Sequence, residues 1–310
     1  LLDTPPHGRT AGGNLVGQIH QRDSGGVMMQ DRLVWLLERF ELRAEVFHSG
    51  RVLRCVYHDA AEGVGHLHLL RGGTVRLESP GSASQLVEEP SAIFYLNPTS
   101  HALTPGREGA DLVCANIDFG AGQGNPLRLA LPEVVVLPLA SAPALSDTLT
   151  MLFREAEEDH CGRQAVLNRL SEVALIQILR ELMDQQRMEM GLLAGLADPR
   201  LARAINAIHA EPARAWTLED LAQEAGMSRA RFAVKFRDTV GMTPGNYLSE
   251  WRLGLAQSLL RRGKPVNVVA DEVGYANASA LSRVFAARKG VPPTTWMKQI
   301  VAAGNGSEST

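Results

Sequence analysis

The sequence has 310 residues, 45% of them hydrophobic and 21% charged, and a formal net charge of −3 at pH 7. That length suffices for two domains with separate cores, and the composition excludes a disordered chain, a collagen-like repeat and a small disulfide scaffold. The charge is unevenly placed. Residues 198–299 hold 15 Lys and Arg against 9 Asp and Glu, a balance of +6, so the remainder carries −9; all four lysines (Lys235, Lys264, Lys289, Lys298) fall in the basic third. Such asymmetry implies one module that faces nucleic acid, joined to another that does not.

Residues 1–27 contain Pro5-Pro6, Gly12-Gly13 and Gly25-Gly26 and lack the basic-then-apolar layout of a secretory signal. They read as a flexible leader, with Met28-Met29 as a candidate start. No run of 18 apolar residues exists, so neither a spanning helix nor a membrane partner is expected. Cys55, Cys114 and Cys161 form neither an even framework nor a CxxC pair, which points to the cytoplasm.

Leu33, Leu36, Leu37 and Phe40 lie at helical spacing. Residues 28–140 are otherwise short apolar runs between Gly-, Pro- and Ser-rich turns: Val52–Tyr57, His66–Leu70, Thr74–Leu77, Ala92–Leu96, Leu112–Ile117 and Val134–Leu137. This pattern predicts an antiparallel β-barrel or jelly roll. Residues 141–190 predict two helices, about 144–159 and 164–188. The stripe Leu167, Leu170, Ala174, Leu175, Ile178, Leu179 and Leu182 is wide enough for a partner helix and a second subunit, hence a homodimer. An internal two-helix cap is the alternative. Residues 191–199 read as a linker, 200–300 as an all-α domain and 301–310 as a disordered tail.

The all-α domain contains a repeat. Thr217-Leu-Glu-Asp220 is a capping-box-like start, the helix runs to Gly226, and Ser228 caps a second helix with Phe232 and Phe236 on one face. Ala222, Gly226, Phe236, Gly241 and Pro244 recur as Ala270, Gly274, Phe285, Gly290 and Pro293, at offsets of 48 or 49 residues. Two helix-turn-helix units are therefore predicted, joined by a helix from Pro244 to about Arg262.

These residues resemble the DNA-binding domain of the AraC/XylS transcriptional regulators, through Met227-Ser-Arg-Ala-Arg-Phe232, Gly241-Met-Thr-Pro244, Trp251-Arg-Leu253, Val273-Gly-Tyr275, Ser282-Arg-Val-Phe285 and Gly290-Val-Pro-Pro293. The resemblance implies two recognition helices in successive major-groove segments of promoter DNA. With the phenylalanines inward, 100° per residue turns Ala230, Val234 and Arg237 outward in the first unit, flanked by Arg231 and Ala233. Ser279, Ser282 and Arg283 face outward in the second. Arg283 is the candidate for a guanine or phosphate contact, Asn277 is a helix cap that can touch phosphate, and Arg229, Arg231, Lys264 and Arg288 are candidate backbone clamps. Ala230, Ala233 and Val234 are smaller and less polar than the residues family members often place there.

His66 and His68 alternate onto one strand face, and Pro98-Thr-Ser-His101 follows a strand pair, which resembles the two motif regions of the cupin fold. Metal-binding cupins carry a Glu three or four residues after the HxH; here Leu69-Leu-Arg-Gly-Gly73 stands instead. No metal or cofactor is therefore expected, and the three imidazoles read as pocket lining or packing, with a three-histidine ion site as the alternative. Cys55 and Cys114, each in a predicted strand, offer three readings: a redox switch, pocket lining or inert packing. The combined expectation is a dimeric, non-enzymatic transcriptional regulator. Its barrel senses a small molecule or oxidant, and its partners are double-stranded promoter DNA and RNA polymerase. A cupin-type metal-dependent enzyme carrying a DNA-binding domain is the rival.

Overall fold

The computed structural model describes residues 31–40, 42–60, 64–118, 132–185 and 190–306, the last six by their backbone. The expected leader, Met28-Met29 and the end of the tail lie outside these residues.

After helix α1 (Val34–Arg39) come strands β1 (Arg43–Val52), β2 (Val56–His58), β3 (Val64–Glu78), β4 (Gln85–Val87), β5 (Ser91–Tyr95), β6 (His101–Asp118) and β7 (Val135–Pro138). They form one antiparallel sheet in the order β1-β6-β3-β5-β7, with β2 against β6 and β4 against β3. The two runs expected as separate strands, His66–Leu70 and Thr74–Leu77, are one long strand. Register shifts at Leu70/Gly72 and Gly73/Val75 bend it, so its two halves pair with different parts of β6. Gly73 takes φ +85° there, and the Gly109 carbonyl occupies the space a Cβ would need.

Alternation divides the side chains of β3, β5 and β6 between two cores. Leu67, Leu69, Ala92, Phe94, Val113, Ala115 and Ile117 pack with the helices. Leu70, Val75, Ile93, Tyr95, Leu103, Leu112 and Cys114 fill the inside of the sheet. The expected run Val52–Tyr57 is broken, because β1 ends at Val52 and β2 starts at Val56. Cys55 therefore lies in an exposed turn, not in a strand.

Helices α2 (Pro143–Glu157) and α3 (Arg163–Asp184) cover the outer face. The predicted stripe is satisfied within the chain: Leu167, Ala174, Leu175, Ile178, Leu179 and Leu182 are buried, with Leu170 half-buried. α3 also protects the edge strand. The Val46 amide donates to Asn168 Oδ1 at 2.9 Å, and Gln164 Nε2 donates to the Val46 carbonyl at 2.7 Å.

The stretch 191–199, expected as a linker, contains helix α4 (Leu192–Ala197), with Leu192, Leu193 and Leu196 buried. Three leucines among small residues give so short a segment one continuous apolar surface. Helices α5 (Pro199–Ala210), α6 (Leu218–Glu224), α7 (Arg229–Val240), α8 (Pro244–Arg261), α9 (Val266–Glu272), α10 (Ala278–Lys289) and α11 (Pro293–Gly306) complete the chain. α11 extends six residues into the tail expected to be disordered.

One core runs from the outer face of the sheet through α1 and α4 to Phe232, Phe236, Tyr247 and Trp251. The second helix-turn-helix unit has its own, built from Leu253, Leu255, Val269, Val273, Leu281 and Phe285 among others. Among the described residues no helix is long and apolar enough to cross a membrane.

Candidate nucleic-acid interface and buried histidine cluster

Each half of the repeat folds as its residues predict. Thr217 Oγ1 accepts from the Asp220 amide at 3.1 Å, and Asp220 Oδ2 accepts from the Thr217 amide at 2.9 Å, a complete capping box. The turn residues Gly226 and Gly274 take φ of +60° and +82°, and the closing residues Gly241 and Gly290 take +85° and +78°. Both pairs sit in the left-handed region that glycine tolerates, which is why they recur at matching offsets. Ser228 stands at the N-cap of α7 without a side-chain capping bond, whereas Asn277 Oδ1 caps α10 by accepting from the Ala280 amide at 2.9 Å.

Phe232, Phe236, Leu281 and Phe285 are fully buried, which turns the opposite faces of α7 and α10 to solvent. Arg229, Ala230, Arg231, Val234 and Arg237 are exposed on α7, with Ala233 half-buried. Asn277, Ser279 and Arg283 are exposed at and on α10, with Ser282 half-buried. Arg237 lies 3.4 Å from Asp238. Two expected clamps are engaged within the protein, Lys264 with Glu272 and Arg288 with Glu250, each at 2.7 Å. Ala233, Val234 and Arg237 also border an apolar groove of about 330 Å³ with Trp216, Leu218 and Leu248.

α7 is fixed to the rest of the chain from behind. The Gly191 amide donates to the Thr239 carbonyl at 2.8 Å, and Lys235 pairs with Asp198 at the start of α5. A Cβ on Gly195 would meet Ile205 Cδ1 at 2.7 Å and Val240 Cγ2 at 2.9 Å, so α4 lies tightly against both helices.

Inside the sheet, His66, His68 and His101 are brought together, and a fourth residue joins them. His58 on β2 stands opposite His101 on β6 in the strand ladder. Its ring centroid is 5.0 Å from that of His101, 4.8 Å from His68 and 5.3 Å from His66. His68 Nε2 and His101 Nε2 are 2.8 Å apart, and Tyr95 stacks on His101 at 3.8 Å. Burial, reinforced at His58 by His101 and at His66 by His58, holds the pKa of His58 and His66 near 4. Burial does the same at His101 against an opposing bond to Thr99, and holds His68 well below the usual histidine range. The rings are neutral at pH 7. Sequence reasoning missed His58. The signal available was the alternation of Val56, Tyr57 and His58, which places Val56 and His58 on one face.

The cysteines are not brought together. All three are free; Cys55 and Cys161 are exposed, while Cys114 is buried, opposite His48 on β1 and His68 on β3. Burial pushes the Cys114 thiol up to about 12. A thiol so far from its thiolate form is a poor nucleophile.

Comparison with known proteins agrees with this division. Residues 31–184 match a family described as Cupin, and residues 221–299 one described as Helix-turn-helix domain. An AraC-like transcription regulator of Streptomyces lividans is 31% identical over 299 residues, covering 87% of this chain and 97% of its own length. The HTH-type transcriptional regulator AlkR of Acinetobacter baylyi is 32% identical, over 71% of this chain and 75% of its own. Among solved structures, the DNA-binding domain of AdpA in complex with a target DNA is 29% identical, with a TM-score of 0.32, covering 34% of this chain and 96% of that one. The chain belongs to the AraC-like transcription regulators, with a cupin domain ahead of its paired helix-turn-helix units.

Proposed function

We propose that this regulator, working in the cytoplasm, reads promoter DNA through α7 and α10 in successive major-groove segments and is controlled by a small molecule or oxidant sensed in its barrel. The observation that carries the reading is the pair of solvent-facing helices of the repeat, presenting Arg229, Arg231 and Arg283 outward while their aromatic faces are buried. Arg283 contacts a guanine edge or a phosphate, and Asn277 and Ser279 approach the backbone at the start of α10. On α7, Ala230 and Val234 offer methyl groups to thymine, and Ser282, Ala233 and Arg237 flank the two reading faces. A homodimer forms through the outer surface of α2 and α3, where Met151, Val166 and Val173 remain exposed. RNA polymerase is the partner at the promoter. The protein acts by binding rather than by catalysis, and the shared core from the sheet to Trp251 supports coupling between sensing and reading.

The test is binding of the purified chain to its own upstream region against random DNA, at several salt concentrations. A preference for the upstream region is expected, and its absence would remove the regulator reading. Arg283→Ala should lose about 1–3 kcal/mol of discrimination at one base pair. Equal weakening on all sequences would reassign Arg283 to the phosphates.

A further inference from the structure

We propose that the groove between α6, α7 and α8 binds a small apolar carboxylate, and that this ligand competes with DNA for the first reading unit. Trp216, Leu218, Leu221, Ala233, Val234 and Leu248 form its apolar lining, and among the described residues Arg237 is the one charged group that borders it. Val234 stands 52% exposed on the face of α7 opposite the buried Phe232 and Phe236. The indole of Trp216 is held as a fixed wall: its Nε1 donates to the Glu211 carbonyl at 2.9 Å, and the Arg214 guanidinium lies 3.9 Å from its ring centroid.

The internal repeat supplies the comparison that singles this groove out. Interior positions keep their character in both units, with Leu221, Phe232 and Phe236 answered by Val269, Leu281 and Phe285, all buried. The outer positions do not. At offsets of 48 or 49 residues, Trp216, Ala230, Ala233, Val234 and Gly245 stand where the second unit has Lys264, Ser279, Ser282, Arg283 and Thr294. All ten are exposed or half-buried, so packing imposes neither set. The second unit thus carries the hydroxyls and cations that suit DNA, and the first replaces them with apolar or bare positions around a concavity. Methyl contacts to thymine account for Ala230 and Val234, but they give no reason for an indole in place of a lysine.

The lining sets the class of ligand. A volume of about 330 Å³, filled at the density of protein interiors, has room for about ten to fifteen non-hydrogen atoms. An apolar wall with a single guanidinium selects an apolar body with one anionic end, and a carboxylate matches the guanidinium fork. Arg237 now lies 3.4 Å from Asp238, and an exposed pair of this kind is weak enough to yield to a ligand. α8 begins at the same groove with Pro244 and Gly245, so its positive end adds to the choice of sign. Ala233, Val234 and Arg237 also belong to the face that α7 offers to DNA, so ligand and DNA exclude each other. Control of this kind acts at the reading head itself and needs no signal from the cupin domain. The competition rests on the DNA-reading proposal above; the site itself does not.

The experiment titrates the full chain with octanoate and with naphthoate by calorimetry, and with octanol as the uncharged control. One equivalent of at least one carboxylate should bind with a Kd below about 1 mM. Octanol should bind about 10-fold more weakly or worse. Ala233→Gln fills the groove and should weaken carboxylate binding about 10-fold or more, while Arg237→Gln should bring carboxylate and octanol to similar affinity. Val268→Ser, at an exposed apolar residue of α9, should change nothing. Circular dichroism monitors folding, and if Ala233→Gln does not fold, the exposed Arg237→Gln carries the test. Failure of both carboxylates to bind, octanol binding as tightly, binding undiminished in the folded groove variants, or loss in Val268→Ser would each overturn the site. DNA binding is then followed on the upstream region and on random DNA, with acetate at equal concentration as the salt control. Carboxylate at ten times its Kd should raise the DNA Kd about 10-fold, and an unchanged DNA affinity would overturn the competition. If random DNA is displaced while no preference for the upstream region appears, the regulator reading fails and the groove stands.

Discussion

Phe40, at the end of the first helix of the cupin domain, stands edge-on to Trp251 in α8, with ring centroids 5.1 Å apart and planes at 86°. Both rings are buried, and they join segments 211 residues apart in sequence. Arg39 reinforces the contact by donating to the Ala210 carbonyl at 3.4 Å. The cupin domain and the helix-turn-helix domain thus share side chains directly.

Removing the first ring should therefore be felt across the chain. Phe40→Ala is expected to destabilise the protein by about 3–5 kcal/mol, the usual cost of an aromatic-sized cavity. Denaturant unfolding gives the value. A loss below about 1 kcal/mol would mean that the junction repacks freely and transmits little.

Two glycines of similar backbone conformation should respond differently. At Gly274, φ is +82° and a Cβ would come within 2.5 Å of Ala213 Cα; at Gly290, φ is +78° and nothing lies within 4 Å. Gly290→Ala should cost about 1 kcal/mol from backbone strain alone. Gly274→Ala adds a clash with backbone and should cost at least twice that. Melting temperatures in the order wild type, Gly290→Ala, Gly274→Ala would agree; equal losses would not.

His209 should make stability pH-dependent. It stacks on Trp251 at 3.5 Å and shares a 2.6 Å hydrogen bond with the Tyr247 hydroxyl. Burial, and secondarily the charge of Arg39, hold its pKa well below 6.5. The unfolded chain therefore takes up a proton near pH 6.5 that the folded chain refuses. The contribution of His209 is fully present above that pH and is lost as pH falls through it. Urea unfolding between pH 8 and 5 should show a shallower decline for His209→Gln than for wild type, and an undiminished slope would remove this residue from the account.

The cysteines should separate cleanly by reactivity. An alkylating reagent at pH 8 should label Cys55 and Cys161 in the native protein, and Cys114 only after denaturation. Since the folded Cys114 thiol is shifted upward to about 12, stability should also decline as pH rises above the usual thiol value of about 9. Mass spectrometry of labelled peptides decides the first point, and rapid native labelling of Cys114 would contradict its burial.

What could be read from the sequence was set by how local the signal is. The repeat was legible because capping residues, turn glycines and inward phenylalanines act within one or two helical turns, so Thr217, Gly226 and Phe232 announce their roles without help from distant parts of the chain. The barrel's face pattern was legible through alternation at His66 and His68. Three features were not. Leu192–Ala197 is too short for helical periodicity to show, and it is a helix because its leucines complete a core built from distant elements. Cys55 follows a strand whose end is set by pairing with β6, not by its own composition. His58 belongs to a three-residue strand, and only the ladder reveals that it faces His101.

The two reading units are unequal in how they are anchored. The first shares its core with the cupin domain and is bonded to α4 through Gly191, whereas the core of the second begins at Leu253 and, among the described residues, contains nothing from the cupin domain. An engineer wishing to redirect this regulator to a new promoter half-site would find the second unit exchangeable beyond the middle of α8, with its interior travelling intact. Exchange of the first would demand redesign of the cupin domain's contact face as well.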